Sequence, residues 1–163
     1  MSDQTSSEKL RQKINIKKYL EELSMLTGRP VRADELCSLE QTIALRESAK
    51  QLEEQPAQRH TILFADQSSK RSEIFANNLC RSNNCPVYIW TPRTISCGAL
   101  LVPSICSVEF YFDFSINEEG ILVFLTSDLK DRLLIDFSIS RKGGLYHEHR
   151  DPRTKLVSSG LLS

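Results

Sequence analysis

Two sets of residues in this 163-residue chain have types and spacings that could do chemistry. The first is acidic. Asp128 and Asp131 flank Leu129-Lys130, and with Asp136 they could form a carboxylate pair for acid–base or metal work. The same Asp-x-x-Asp composition also suits a turn. Glu109 and Asp113 fall on one face of a strand by the period of two, and Glu118-Glu119 stand just before Gly120. The second set is sulfur and imidazole. Cys80 or Cys97 could act as a nucleophile beside His60 or His147, and His147-x-His149 would place two rings on one strand face.

Neither set completes a reactive signature. The five cysteines include no CxxC pair, and no histidine stands at a zinc-finger offset from them. Six scattered glycines form no phosphate loop, and there is no GxSxG elbow or HExxH. The expectation is therefore no catalytic residue, no metal and no cofactor. The cysteines read as reduced, partly buried thiols and the two histidines as a surface strand end. Trp90, the only tryptophan, reads as a core residue; exposed, it would be a recognition anchor.

Three regions would have to position these residues. In residues 1–58, Thr5-Ser6-Ser7-Glu8 fits a capping box, and Leu10, Ile14, Ile16, Tyr19, Leu20, Leu23 and Leu26 follow at helical spacings up to Gly28 and Pro30. A second helical run covers 34–54, so the two predict a hairpin packed on the rest of the domain. In residues 60–103, strands at 61–65 and 87–90 flank a helix over 70–80, an order compatible with a small βαβ unit, and 99–102 predicts a short edge strand. Residues 104–149 read as an antiparallel meander: 108–114, 121–126, a turn at 127–131, 132–138 and a last strand near 145–149. The tail, 150–163, predicts loose order. The fold class expected is α+β: an N-terminal helical hairpin (1–58), then a mixed, mainly antiparallel sheet domain (60–149) with one further helix packed on it.

Charge sharpens the reading. Lys+Arg and Asp+Glu are each 21, which argues against a nucleic-acid-coating protein. Residues 104–140, however, hold two basic and seven acidic groups, net −5, offset mainly by residues 61–103 and by the tail. An acidic surface of this kind is suited to meet a basic partner, because complementary charge speeds encounter and sets register. The first residues are polar with no apolar run behind them, and no apolar stretch approaches the length of a membrane span. The expected location is the cytoplasm.

The stretch Cys97-Gly98-Ala99-Leu100-Leu101-Val102-Pro103, followed by Phe110-Tyr111-Phe112-Asp113-Phe114 and Asn117-Glu118-Glu119-Gly120-Ile121, resembles small bacterial immunity proteins of polymorphic toxin and contact-dependent growth inhibition systems. So does Thr126-Ser127-Asp128-Leu129-Lys130-Asp131 with Arg132-Leu133-Leu134-Ile135-Asp136-Phe137. The resemblance covers residues 60–140, and the tail departs from it. It implies a cytoplasmic, non-enzymatic protein that binds one cognate toxin, often a nuclease such as a tRNase with a basic cleft. It further implies a 1:1 complex of monomers, with neither nucleic acid nor membrane as a direct partner. Glu109, Asp113, Glu118, Glu119, Asp128 and Asp131 would be the partner-binding residues. Two other readings stay open: a binding module or chaperone using the helical hairpin, and a small metal-dependent hydrolase using Asp128 and Asp131 with His147.

Overall fold

The computed structural model describes residues 6–53, 58–63, 77, 80–81, 84–109, 120–136 and 153–159. Helix α1 (Ser6–Thr27) and helix α2 (Leu39–Glu53) precede strands β1 (Gln58–Leu63), β2 (Val87–Trp90), β3 (Leu100–Val102), β4 (Ile121–Thr126), β5 (Arg132–Asp136) and β6 (Arg153–Ser159). A single helical turn, Thr94–Cys97, links β2 to β3. The fold is α+β, as the residue patterns predict.

The six strands form one sheet in the order β1-β6-β5-β4-β2-β3. Every described pairing is antiparallel. The βαβ reading is thereby corrected: β1 pairs with β6, while β2 finds its partners in β3 and β4. The short link through Thr94–Cys97 lets β2 turn straight back on β3, which is the cheaper closure for neighbouring segments. β4 and β5 form the expected hairpin. The tail is corrected as well, since Arg153–Ser159 is an interior strand between β5 and β1. Its polar composition hides this, because its place is secured by backbone ladders on both sides rather than by an apolar pattern.

The strands alternate cleanly between two faces. Val87 and Ile89, Leu100 and Val102, Leu122 and Phe124, and Leu133 point one way, where they bury against Tyr19, Leu23 and Leu26 of α1. Tyr88 and Trp90, Val123 and Leu125 point the other way, with Ala49 and Leu52 of α2 and with Leu129. The two helices therefore sandwich the sheet instead of packing on each other as a hairpin. Each fully buried apolar side chain in the α1 layer contributes roughly 1.5–3 kcal/mol.

The crossing from one face to the other explains why α2 starts at Leu39 and not at 34. Leu36 is drawn into an antiparallel bridge with Leu100 on the outer side of β3, and the Cys37 amide donates to the Ala99 carbonyl at 2.8 Å. The chain thus covers an edge that would otherwise offer bare amides to another strand. Gly98, at φ +106°, is required there, because a Cβ would run into the Cys37 carbonyl and crowd Leu36. Ser38 and Gln41 then close a capping box, with the Gln41 amide donating to Ser38 Oγ at 3.1 Å and the Ser38 amide to Gln41 Oε1 at 3.0 Å. Thr42, wholly buried, accepts the Ala99 amide at 3.0 Å and fixes the first turn of α2 to β3.

Cys80 and Cys106 are joined in a disulfide, with Cα atoms 5.0 Å apart. This corrects the expectation of five reduced thiols; Cys37, Cys85 and Cys97 are free. Of the helix predicted over 70–80, residues 77 and 80 are helical, as is 81, and the remainder lies outside the described residues. The strand predicted near 145–149, with His147 and His149, lies outside them as well.

Candidate partner-binding surface

The turn between β4 and β5 is built around Thr126. Its hydroxyl donates to Asp128 Oδ1 at 2.7 Å and accepts the Asp131 amide at 3.0 Å. The Lys130 amide donates to the same Asp128 oxygen at 3.1 Å, and the Thr126 amide to the Asp131 carbonyl, also at 3.1 Å. Leu129 takes a left-handed conformation, φ 56°, unusual for a branched residue. It is held there by packing beside Leu125 and the Tyr88–Trp90 face. Asp-x-x-Asp is thus first a turn device, which fixes the backbone that carries both carboxylates.

The two acids differ in their electrostatics. Hydrogen bonds from the Thr126 hydroxyl and the Lys130 amide hold the Asp128 carboxyl below the usual carboxylate range. Partial burial, and then the charge of Asp128, push Asp131 up. Cys85 feels the same pair: burial, followed by the charges of Asp128 and Asp131, pushes its thiol up. The Ser127 amide donates to the Pro86 carbonyl at 2.9 Å and ties the turn to the segment that carries Cys85.

Val87 pairs with both Val102 and Thr126, so the segments that follow β3 and β4 leave the sheet at the same end. Glu109 lies on the first of these. It is exposed and outside any strand, which corrects its expected place on a strand face. Its amide donates to the Leu26 carbonyl at 2.7 Å, satisfying a terminal acceptor of α1, and its side chain lies over Gly28, whose φ is +63°. Asp113, Glu118 and Glu119 lie outside the described residues. Gly120, the next residue, opens β4 at the far end from Asp128. Of the six predicted residues, the structure brings Asp128 and Asp131 together in one turn and sets the Glu109 segment at the same end of the sheet.

Beside the turn lies the less covered face of the sheet. Tyr88 and Trp90 are both half-buried there, so Trp90 is neither a sealed core residue nor an open anchor. Leu101, in register with Tyr88, is 43% exposed.

Sequence reasoning missed a polar cluster on the opposite side. Asn15, Tyr19 and Glu22 of α1, at one-face helical spacing, grip the loop after β2. Arg93 Nε donates to Glu22 Oε1 at 2.7 Å and Arg93 Nη1 to Asn15 Oδ1 at 3.1 Å. Tyr19 Oη bonds to Thr94 Oγ1 at 2.9 Å and donates to the Gly98 carbonyl at 2.8 Å. The i, i+4, i+7 spacing of the three polar residues was the available signal. Cys97 belongs to this cluster, where Asn15 Nδ2 approaches its sulfur at 3.4 Å, and burial pushes its thiol up. A raised pKa lowers the thiolate fraction at neutral pH, the opposite of what activates a cysteine. Cys80, the other candidate, is engaged in the disulfide.

Compared with known protein families, curated proteins and solved structures, the chain shows no match in any of the three.

Proposed function

We propose that this chain is an immunity protein that binds and neutralises a cognate toxin, a nuclease of the tRNase type with a basic cleft, by occluding its active site or RNA-binding surface. One observation carries the reading: the exposed Asp128 carboxylate is hydrogen-bonded in place, with Asp131 beside it, in a turn whose Leu129 packs against the half-buried Tyr88–Trp90 face. A preset carboxylate with a second acid beside it speeds and orients the approach of a basic surface, while aromatic area supplies the desolvated contact that rim charges alone do not. Glu109 extends the acidic end, and Asp113, Glu118 and Glu119 remain partner-binding residues proposed from the sequence alone. The action is a barrier and requires no cofactor. The partner is a single toxin domain in a 1:1 complex, met in the cytoplasm. In that reducing compartment the Cys80–Cys106 bond must be either protected or transient.

Asp131→Lys is the sharpest test of the contact, since the turn's hydrogen bonds use the Asp131 backbone and leave its carboxylate out. Against the toxin domain encoded by the adjoining gene, the variant should bind about tenfold more slowly at low salt, with the difference fading as salt rises. An unchanged association rate would remove the acidic turn from the contact.

A further inference from the structure

We propose that the outward side of the N-terminal half of α1 is a docking surface for an anionic lipid bilayer. Residues 6–18 carry five cations, Lys9, Arg11, Lys13, Lys17 and Lys18, against the single acid Glu8, net +4. All five cations are exposed. Among the described residues no ion pair is recorded for any of them. Leu10 and Ile14 stand in their midst, 59% and 49% exposed.

The placement follows from helical geometry. Tyr19, Leu23 and Leu26 face the sheet. Leu10 precedes Tyr19 by about two and a half turns at 3.6 residues per turn, which sets it on the opposite side of α1. Ile14 lies one turn along the same line. Lys9, Lys13 and Lys17 flank that line on one side, and Arg11 and Lys18 on the other. Met25, 53% exposed, continues the outward side beyond Glu21, which bounds the basic stretch.

An apolar line with cations on both flanks suits a plane that is greasy beneath and anionic at its surface. The aliphatic stems of Lys and Arg lie along the acyl boundary while their heads reach phosphate. A nucleic-acid backbone would use the cations but has no place for Leu10 and Ile14 at the centre of the contact. The sheet occupies the other side of α1, so the helix would lie in the headgroup plane. Among the described residues no helix is long and apolar enough to cross a membrane, and surface docking needs none. Two exposed apolar side chains anchor weakly by themselves, so binding depends on lipid charge.

Co-sedimentation of the full chain with vesicles of 30% phosphatidylglycerol in phosphatidylcholine, and with phosphatidylcholine alone, tests the proposal. The expected result is binding to the first and not the second, weakened at least tenfold by 0.5 M salt. Each cation near such a surface is worth about fivefold, so K13E/K17E should lose at least roughly 25-fold. The L10S/I14S variant, which keeps every charge, should also lose binding. All four positions are exposed, and far-UV circular dichroism checks that both variants fold. Equal binding to neutral vesicles, no binding to anionic ones, full binding by either variant, or tighter binding to a 20-base-pair RNA duplex would overturn the proposal. No toxin enters the assay, so failure here leaves the immunity reading standing.

Discussion

Tyr19→Phe isolates the grip of α1 on the loop after β2. In the native protein the Thr91 amide donates to Thr94 Oγ1 at 2.8 Å, Thr94 Oγ1 in turn meets Tyr19 Oη, and Tyr19 Oη donates to the Gly98 carbonyl. Phenylalanine keeps the buried ring and removes only the hydroxyl. It strands the buried Gly98 carbonyl, at about 1–3 kcal/mol, and takes one of two partners from Thr94 Oγ1, which keeps the Thr91 amide; the loss should be about 2 kcal/mol at pH 7.5. The pH dependence adds a second, independent signature. Burial pushes the Tyr19 hydroxyl above its ordinary value of about 10, so its contribution is complete below pH 10 and fades as pH rises toward the folded-state value. The unfolded chain releases that proton first, which costs the wild type about 1.4 kcal/mol by pH 11. The variant has no such group, so the gap between the two should narrow by that amount. Urea unfolding followed by circular dichroism and by Trp90 fluorescence, at pH 7.5 and at pH 11, measures both. A gap under about 0.5 kcal/mol at pH 7.5, or one that does not change with pH, would refute the network as drawn.

Other outcomes follow from the same geometry. Gly98→Ala should cost about 3 kcal/mol or more, read as a lowered urea midpoint, because φ +106° and the Cys37 carbonyl together exclude a side chain. Reducing the Cys80–Cys106 bond opens a link across 26 residues and should remove about 3.5 kcal/mol by the chain-entropy relation; an unchanged midpoint with and without reductant would contradict it. Carboxyl NMR should find Asp128 titrating below the ordinary aspartate range and Asp131 above it. Asp128 therefore stabilises the fold at neutral pH, and its contribution is lost only as pH falls through its depressed pKa. Asp128→Ala should remove the low-pH titration and bring Asp131 back toward normal.

Much of this architecture is legible in local residue patterns. The apolar stripe of α1 and its stop at Gly28, the β4 and β5 strands and the Asp-x-x-Asp turn all carry signals of their own period and turn chemistry. What escapes is whatever depends on distant partners. Leu36 sits in a helical-looking run and is captured by β3. Arg153–Ser159 becomes a strand because β1 and β5 both need it. Two helices joined by a short, turn-rich link suggest a hairpin, yet the sheet edge at β3 lets the chain pass between faces. The same is true of charge. A balanced count over residues 1–60 conceals the +4 of residues 6–18, just as the balanced total conceals the −5 of residues 104–140. In the candidate site, the acidic turn was visible in composition, but its seat beside Tyr88 and Trp90 arises only from the packing of Leu129.

Calorimetric titration of the purified chain with a basic toxin domain, sought in an adjoining gene, puts the proposed capture to the test. A 1:1 complex with a Kd below about 1 μM, worth more than about 8 kcal/mol, weakened by salt and by Asp131→Lys, is the expected result. No heat of binding at micromolar concentrations, in a chain that also fails to protect cells from that toxin, would contradict it.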